Sequence, residues 1–393
     1  MKQELYFLSG KRTAFGANGG TLRDVNPTEI GISASRAALE QAKVKPEQVD
    51  HVIFGNVLYS ARDSIYTPRH VGLKVGVPKE VPSLGVNRLC GSGFQVIVEA
   101  LHQMLAGDTK LALVGGVENM SMAPYVLKKS RWGERLGHSE VCDMLTESLV
   151  DTYGNTPMAI TAENLAQNYK ISREESDRFA LRSQTRARAG REAKRFDEEI
   201  APVMVPDRKG APIAFSQDEH LRPDTTMESL GKLKPVFKKD GVVTAGNASG
   251  IVDGAAAMVV GTEAEAKSRQ PLGRLVSYGI VGCDPMVMGI GPAPASRQAL
   301  QRAGMSLGQM DLVEVNEAFA PQALAVQKEL GIPEEIFNVN GGAIAIGHPL
   351  GASGTRLTMH ALYELRRRKK KYALVTACIG GGQGIALVIE AFS

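Results

Sequence analysis

The sequence predicts an α/β protein organised around parallel strands and assembled from two similar halves. Short β-prone runs alternate with helical stretches through the first third of the chain, the pattern of βαβ units. The same order of elements returns after Leu272. Each half also places a cysteine beside glycines where a β-prone run gives out, Cys90 in the first and Cys378 in the second. Shared order of this kind points to an internal duplication.

Residues 5–8 read as a strand, and residues 27–43 as an amphipathic helix with proline in its first turn, where a missing N–H costs nothing. Residues 52–57 form a buried-strand run, residues 67–75 a helix, and residues 81–86 a β-prone run. A helical pattern follows over residues 94–105, then an apolar strand over residues 111–114 that ends in Gly115-Gly116. From Glu118 to Gly246 the texture changes, becoming rich in Met, Ser, Arg and Glu. Helical stretches occupy residues 159–169 and 172–189, and Ser172 with Glu175 has the spacing of a capping box. Beyond Arg195 the pattern is irregular, with Pro202, Pro206, Pro212, Pro223 and Pro235. This segment reads as an insertion lying over the sheet core. Residues 272–282 and 311–315 then read as strands and residues 294–303 as a helix. Further helices are expected at residues 317–330 and 351–367, and a strand at residues 372–377. The expected division is residues 1–118 with 247–270, an inserted loop domain at 119–246, and residues 271–393.

Composition narrows the function. Hydrophobic residues are 43% and charged residues 22%, as in ordinary soluble globular proteins. Cys90, Cys142, Cys283 and Cys378 are too few and too scattered for a disulfide framework or a zinc-ligand spacing, so a reducing compartment is expected. Residues 1–10 carry no long apolar run behind a basic segment, so no signal peptide is expected. No window approaches the ~20 apolar residues a membrane span needs. A net charge of +4 does not argue for nucleic acid and suits an anionic small substrate. The basic run from Arg366 to Lys371 reads as a solvated helix end that complements the dipole.

The chemistry concentrates in four places. In Asn87-Arg88-Leu89-Cys90-Gly91-Ser92-Gly93 a cysteine stands at a helix start, where N–H groups and a positive dipole end lower a thiol pKa. The plainer reading is a small buried hydrophobe. Asn316-Glu317-Ala318-Phe319 ends a strand. Residues 340–351 form a glycine-rich turn that holds His348 between Gly347 and Pro349, on what reads as an irregular exposed turn. Its spacing is not that of a dinucleotide loop, and it has no phosphate-binding lysine. Cys378-Ile379-Gly380-Gly381-Gly382 is the fourth cluster. The other six histidines have no comparable setting and read as structural.

With these residues in hand, the chain resembles the thiolase family over essentially its whole length. Gly115-Gly116-Val117-Glu118-Asn119-Met120-Ser121 adds a fifth marker. Asp218-Glu219-His220-Leu221-Arg222-Pro223 and Val236-Phe237-Lys238-Lys239-Asp240-Gly241 are similar to the broad-range 3-ketoacyl-CoA members. So is Pro157-Met158. The resemblance implies a five-layered α/β/α/β/α fold, with the insertion covering the site for coenzyme A. It implies Cys90 as the acyl-accepting nucleophile and His348 as its activator. It places His348 and a water held by Asn316 in one oxyanion hole, and the N–H groups of Cys90 and Gly380 in another. Cys378 becomes the acid and base at the acetyl carbon. Arg222 is expected at the adenine and phosphate end of CoA and Ser249 at the pantetheine amide. Met158, Met288, Ala318 and Phe319 are expected to wall the acyl pocket.

The resemblance further implies thiolysis of 3-ketoacyl-CoA, with condensation of two acetyl-CoA as the alternative. CoA is then a substrate, with no metal or permanent cofactor. A homotetramer built from tight dimers is expected, in the cytoplasm, or in the mitochondrial matrix of a eukaryote. A decarboxylating ketoacyl synthase is disfavoured by Cys378, where a histidine or asparagine is expected. A non-catalytic acyl-CoA or lipid-binding relative could have lost Cys90 or His348, and both are present. A redox or metal protein finds little support in the cysteine spacing.

Overall fold

The computed structural model describes residues 4–133, 135–206 and 210–392, so the first residues of the 1–10 stretch and the two chain ends of the expected division lie outside it. Nine strands build the main sheet path: β1 (Tyr6–Thr13), β2 (His51–Gly55), β3 (Ser83–Val86), β4 (Leu111–Glu118), β5 (Val252–Gly261), β6 (Gly273–Gly282), β7 (Leu312–Val315), β8 (Tyr372–Ile379) and β9 (Gln383–Ala391). The principal helices are α1 (Pro27–Ala42), α2 (Thr67–Val75), α3 (Ser92–Ala106), α4 (Met158–Asn168), α5 (Arg173–Glu192), α6 (Pro292–Ala303), α7 (Ala320–Leu330) and α8 (Leu350–Arg368).

The path runs β7-β8-β9-β6-β1-β5-β4-β2-β3. Read inward from each side, β2-β4-β5-β1 and β7-β8-β9-β6 have the same pairing: one parallel contact, then two antiparallel ones. The two halves join where β1 meets β6, Tyr6 opposite Arg274 and Phe7 opposite Gly273. α3 and α8 pack on each other between the two sheet halves, α1 and α2 cover one outer face, and α6 covers the other. α8 is buried along Leu350 to Leu365, so no polar stripe is visible in its first four turns.

The parallel pairings expected of βαβ units are present at β2–β3, β2–β4 and β7–β8, and the sheet as a whole is mixed. The reason lies in β5 and β9, two strands the sequence reading did not separate out. Both are buried on both faces along nearly their whole length, so neither shows in–out alternation. β5 also carries Gly254-Ala255-Ala256-Ala257, residues of poor strand propensity. Three boundaries move as well. β4 continues through Gly115-Gly116 to Glu118, and a Cβ at Gly115 would lie 2.5 Å from Ala256 O. β8 extends through Cys378 to Ile379, so this cysteine lies in the strand and not past its end. α7 starts at Ala320, leaving Glu317 in a buried connection.

The chain between β4 and β5 is docked by paired polar groups. Arg12, fully buried on β1, bonds Glu199 at 2.8 Å and Asp218 at 2.7 Å. Glu163 of α4 accepts the N–H groups of Val242 and Val243, and Asn247 donates to Asp177 of α5 at 2.9 Å. The capping box forms as expected, Ser172 N donating to Glu175 Oε2 at 2.7 Å and Glu175 N to Ser172 Oγ at 3.1 Å.

Candidate active site

Cys90 lies in the 3₁₀ turn Leu89–Gly91 that opens directly into α3, and it is half-buried. The turn is held from three directions. Asn87 Oδ1 accepts from Leu89 N at 3.0 Å, while Ser92 Oγ accepts from Arg88 N at 2.9 Å and donates to Leu89 O at 2.8 Å. These bonds keep Leu89 at φ 48°, a left-handed conformation that a leucine rarely adopts. Gly93 lets α3 approach α8, since a Cβ there would lie 2.7 Å from Thr355 N.

His348 stands at the start of α8, in the second half's counterpart of the Cys90 position. It is 5% exposed, which corrects the expectation of an exposed turn. Gly347, at φ 97°, turns the chain inward against Val252, and His348 N donates to Gly250 O at 2.9 Å. The ring is held on both nitrogens: Nδ1 lies 2.5 Å from Ser353 Oγ and Nε2 lies 3.2 Å from Asn316 Nδ2. Ser353 spends its single hydroxyl hydrogen on Pro349 O at 3.0 Å, so its oxygen receives the Nδ1 hydrogen. Asn316, an amide donor, faces Nε2. Both bonds assign the same tautomer, with Nε2 bare and able to take a proton. Burial lowers the His348 pKa to about 4, which keeps the imidazole neutral at pH 7.

Cys378 is fully buried on β8, packed with Met288 and Ala318 and flanked by Met158 and Phe319. Four of the expected pocket residues thus converge on one sulfur. Gly380, just past β8, has its N–H near enough to Cys90 to act downward on the thiol pKa, and a Cβ on it would lie 3.2 Å from Leu89 Cδ1 and 3.4 Å from Met158 Sδ. The two sulfurs are near enough for a charge on Cys90 to raise the Cys378 pKa, after burial, which is the larger cause. Ser249 is tied in through its N–H, which donates to Ala318 O at 2.9 Å. Arg222 lies apart from the thiols. It lines a cavity of about 160 Å³ with Gln184, His220, Ser229, Leu233 and Gly246.

The thiol expectation needs a correction. Burial pushes the Cys90 pKa up to about 11, outweighing the Gly380 N–H and the backbone N–H at Cys90 itself, which act downward. The helix start therefore does not by itself make a standing thiolate. A neutral thiol and a neutral, proton-accepting imidazole form the pair instead.

Three buried groups escaped the sequence reading. Ser353 fixes the His348 ring, and its signal was its place in the first turn of the helix that follows. Glu317 holds the loops around Asn316. Glu118 on β4 accepts from Asn56 Nδ2 at 2.8 Å and Val57 N at 2.6 Å, and burial raises its pKa to about 8. The duplication explains its position. Gly55 opposes Gly116 as Val315 opposes Thr376, so Asn56 corresponds to Asn316 and Glu118 to Cys378. The duplicated counterpart of Cys90 is accordingly His348, not the second cysteine.

The chain matches the family models described as "Thiolase, N-terminal domain" over residues 6–264 and "Thiolase, C-terminal domain" over residues 269–391. It is 54% identical over 389 residues to a mitochondrial 3-ketoacyl-CoA thiolase of Bos taurus, covering 98% of each chain. It is 48% identical to an acetyl-CoA acetyltransferase of Cupriavidus necator, covering 98% of this chain and 99% of that one. The crystal structure of human mitochondrial 3-ketoacyl-CoA thiolase in complex with CoA superposes with a TM-score of 0.96 at 53% identity, covering 99% of this chain and 98% of that chain. Two family models spanning nearly the whole chain, with full-length relatives at this identity, show that it belongs to the thiolase family.

Proposed function

We propose that the protein cleaves 3-ketoacyl-CoA with CoA, releasing acetyl-CoA and a shortened acyl-CoA through an acyl-Cys90 intermediate. The observation that carries this is the approach of the Cys90 and Cys378 sulfurs, together with a neutral His348 whose unprotonated Nε2 accepts from Asn316 and can take a proton when that bond gives way. In the first stage the Cys90 proton passes to His348 Nε2 and the sulfur adds to the C3 ketone. The C2–C3 bond breaks, and the acetyl-CoA enolate takes its proton from Cys378. In the second stage the CoA thiol returns a proton to Cys378 and its sulfur attacks the acyl-Cys90 thioester. Cys90 leaves as thiolate and recovers its proton from His348. Every group ends as it began.

Two oxyanions form at different stages, which calls for two donor sets. The N–H groups of Cys90 and Gly380 serve one, and His348 with a water oriented by Asn316 serves the other. Arg222 meets the adenine and phosphate end of CoA, Ser249 the pantetheine amide, and Met158, Met288, Ala318 and Phe319 wall the acyl chain. The segment 119–246 frames this approach. CoA acts as substrate, with no resident metal or cofactor.

A neutral imidazole can serve the thiol as general base. Alkylation of Cys90 by iodoacetamide at pH 7 should therefore fall on the order of 10²-fold in His348→Ala, in the range found when a general base is removed. An unchanged rate in the variant would remove His348 as the base.

Condensation of two acetyl-CoA uses the same groups, and the acetyl-CoA acetyltransferase among the relatives keeps that reading open. Thiolysis of 3-ketoacyl-CoA chains from four to sixteen carbons decides between them. Turnover across medium lengths is expected, and activity confined to the shortest would favour the biosynthetic reading. We further place the protein as a homotetramer of tight dimers. Supporting this, Trp132 and Leu136 are 89% and 96% exposed, and β3 ends the sheet with an open edge. The mitochondrial relatives support a matrix location in a eukaryote, and a bacterial source would make it cytoplasmic.

A further inference from the structure

We infer that Glu317 is a positioning residue of the reaction: its carboxylate sets the connection that presents Asn316 and locks it to the helix that carries the CoA-facing segment. This rests on the roles just proposed for Asn316 and His348. Glu317 is 1% exposed and lies between two site residues, and its side chain reaches into a junction of three segments. Its Oε2 accepts from Ser183 Oγ on α5 at 2.6 Å and from Ile344 N at 3.2 Å. Its Oε1 accepts from Asn338 Nδ2 at 2.8 Å.

Each partner fixes a different part of the site. Asn338 Oδ1 accepts from Val315 N at 2.8 Å, and its Nδ2 also donates to Val315 O at 2.9 Å, which anchors the strand end that presents Asn316. Ile344 lies in the short helical turn Ala343–Ile346 that delivers Gly347 and His348. Ser183 also accepts from Gly342 N at 3.0 Å, and a Cβ at Gly342 would lie 2.6 Å from Glu317 Oε2. Beside it, Gln184 donates to Ile344 O at 3.2 Å and accepts from Arg222 N at 2.9 Å. One buried carboxylate thus joins the Asn316 connection, the His348 turn and the segment bearing Arg222. A carboxylate suits the place because it only accepts, and three donors point at it. A glutamine would turn an N–H₂ toward at least one of those donors.

The test compares two reactions of the whole enzyme. Thiolysis needs both oxyanion sites, whereas acetylation of Cys90 by acetyl-CoA does not require the water held by Asn316. Glu317→Gln should lower the thiolysis kcat ~10- to 100-fold with little change in the KM for CoA, because misplacement of a positioned group costs that much. Its rate of Cys90 acetylation should fall less than about threefold, and Ser183→Ala should show the same split at smaller size. Equal losses in the two reactions, or no loss in either, would overturn the inference. Should Glu317→Gln not fold, the split or its absence in Ser183→Ala decides. Asn316→Ala is the reference. A split in Glu317→Gln with none in Asn316→Ala would likewise overturn the inference, because Glu317 would then not act through Asn316.

Discussion

Replacing Cys90 with serine should lower thiolysis on the order of 10⁴-fold or more and abolish acyl-enzyme formation. That corresponds to about 5 kcal/mol of lost transition-state stabilisation. The size follows from the proton balance at the site. The thiol stands at about 11 and the imidazole at about 4, so the transfer to His348 is already uphill and succeeds because the thioester captures the thiolate. A hydroxyl is a far weaker acid, and the same imidazole cannot take its proton at a useful rate. Serine is nearly isosteric with cysteine, and position 90 is only half-buried, so the fold should be kept. An unchanged thermal midpoint alongside lost turnover separates chemistry from stability.

Cys378→Ala should lower deuterium exchange at the α-carbon of acetyl-CoA ~10³-fold, in the range found when a general acid is removed. Cys90 should still reach full acetylation at equilibrium. Burial first, and then the charge of Cys90, raises the Cys378 pKa, so its resting form is the thiol that an enolate needs as a proton donor. The truncation deletes one buried sulfur, and the cavity should cost on the order of 1 kcal/mol. Normal α-carbon exchange in this variant would move the acid to another group.

The sequence disclosed the fold where local pattern and burial coincide. The helix at Pro27 announced itself by proline in its first turn, and the capping box at Ser172 marked the start of α5 to the residue. It hid the fold where burial is complete. β5 and β9 lose their alternation because both faces meet protein, and with them went four of the five antiparallel contacts along the main sheet path. Glycines misled for a related reason: at Gly115 and Gly116 they permit close packing against Ala256 and Gly351, and do not end the strand.

Of the candidate site, Cys90, His348 and Cys378 were legible, since each stands beside glycines that break the local pattern. What surrounds them was not. Ser353, Glu317 and Asn338 sit in stretches whose spacing says nothing of a partner more than a few residues away in space or sequence, and only the fold brings them to His348 and Asn316. The thiol pKa was misjudged because a dipole at a helix start is a local property, whereas burial is a tertiary one, and at Cys90 burial is the larger effect.

The division of labour between the two sulfurs can be read from one labelled peptide. Incubating the intact enzyme with acetyl-CoA, quenching in acid and mapping the added acetyl mass should place it on the Cys90 peptide alone. An acetyl group on Cys378 or Cys283, or one that persists in Cys90→Ser, would contradict the assignment of nucleophile and acid.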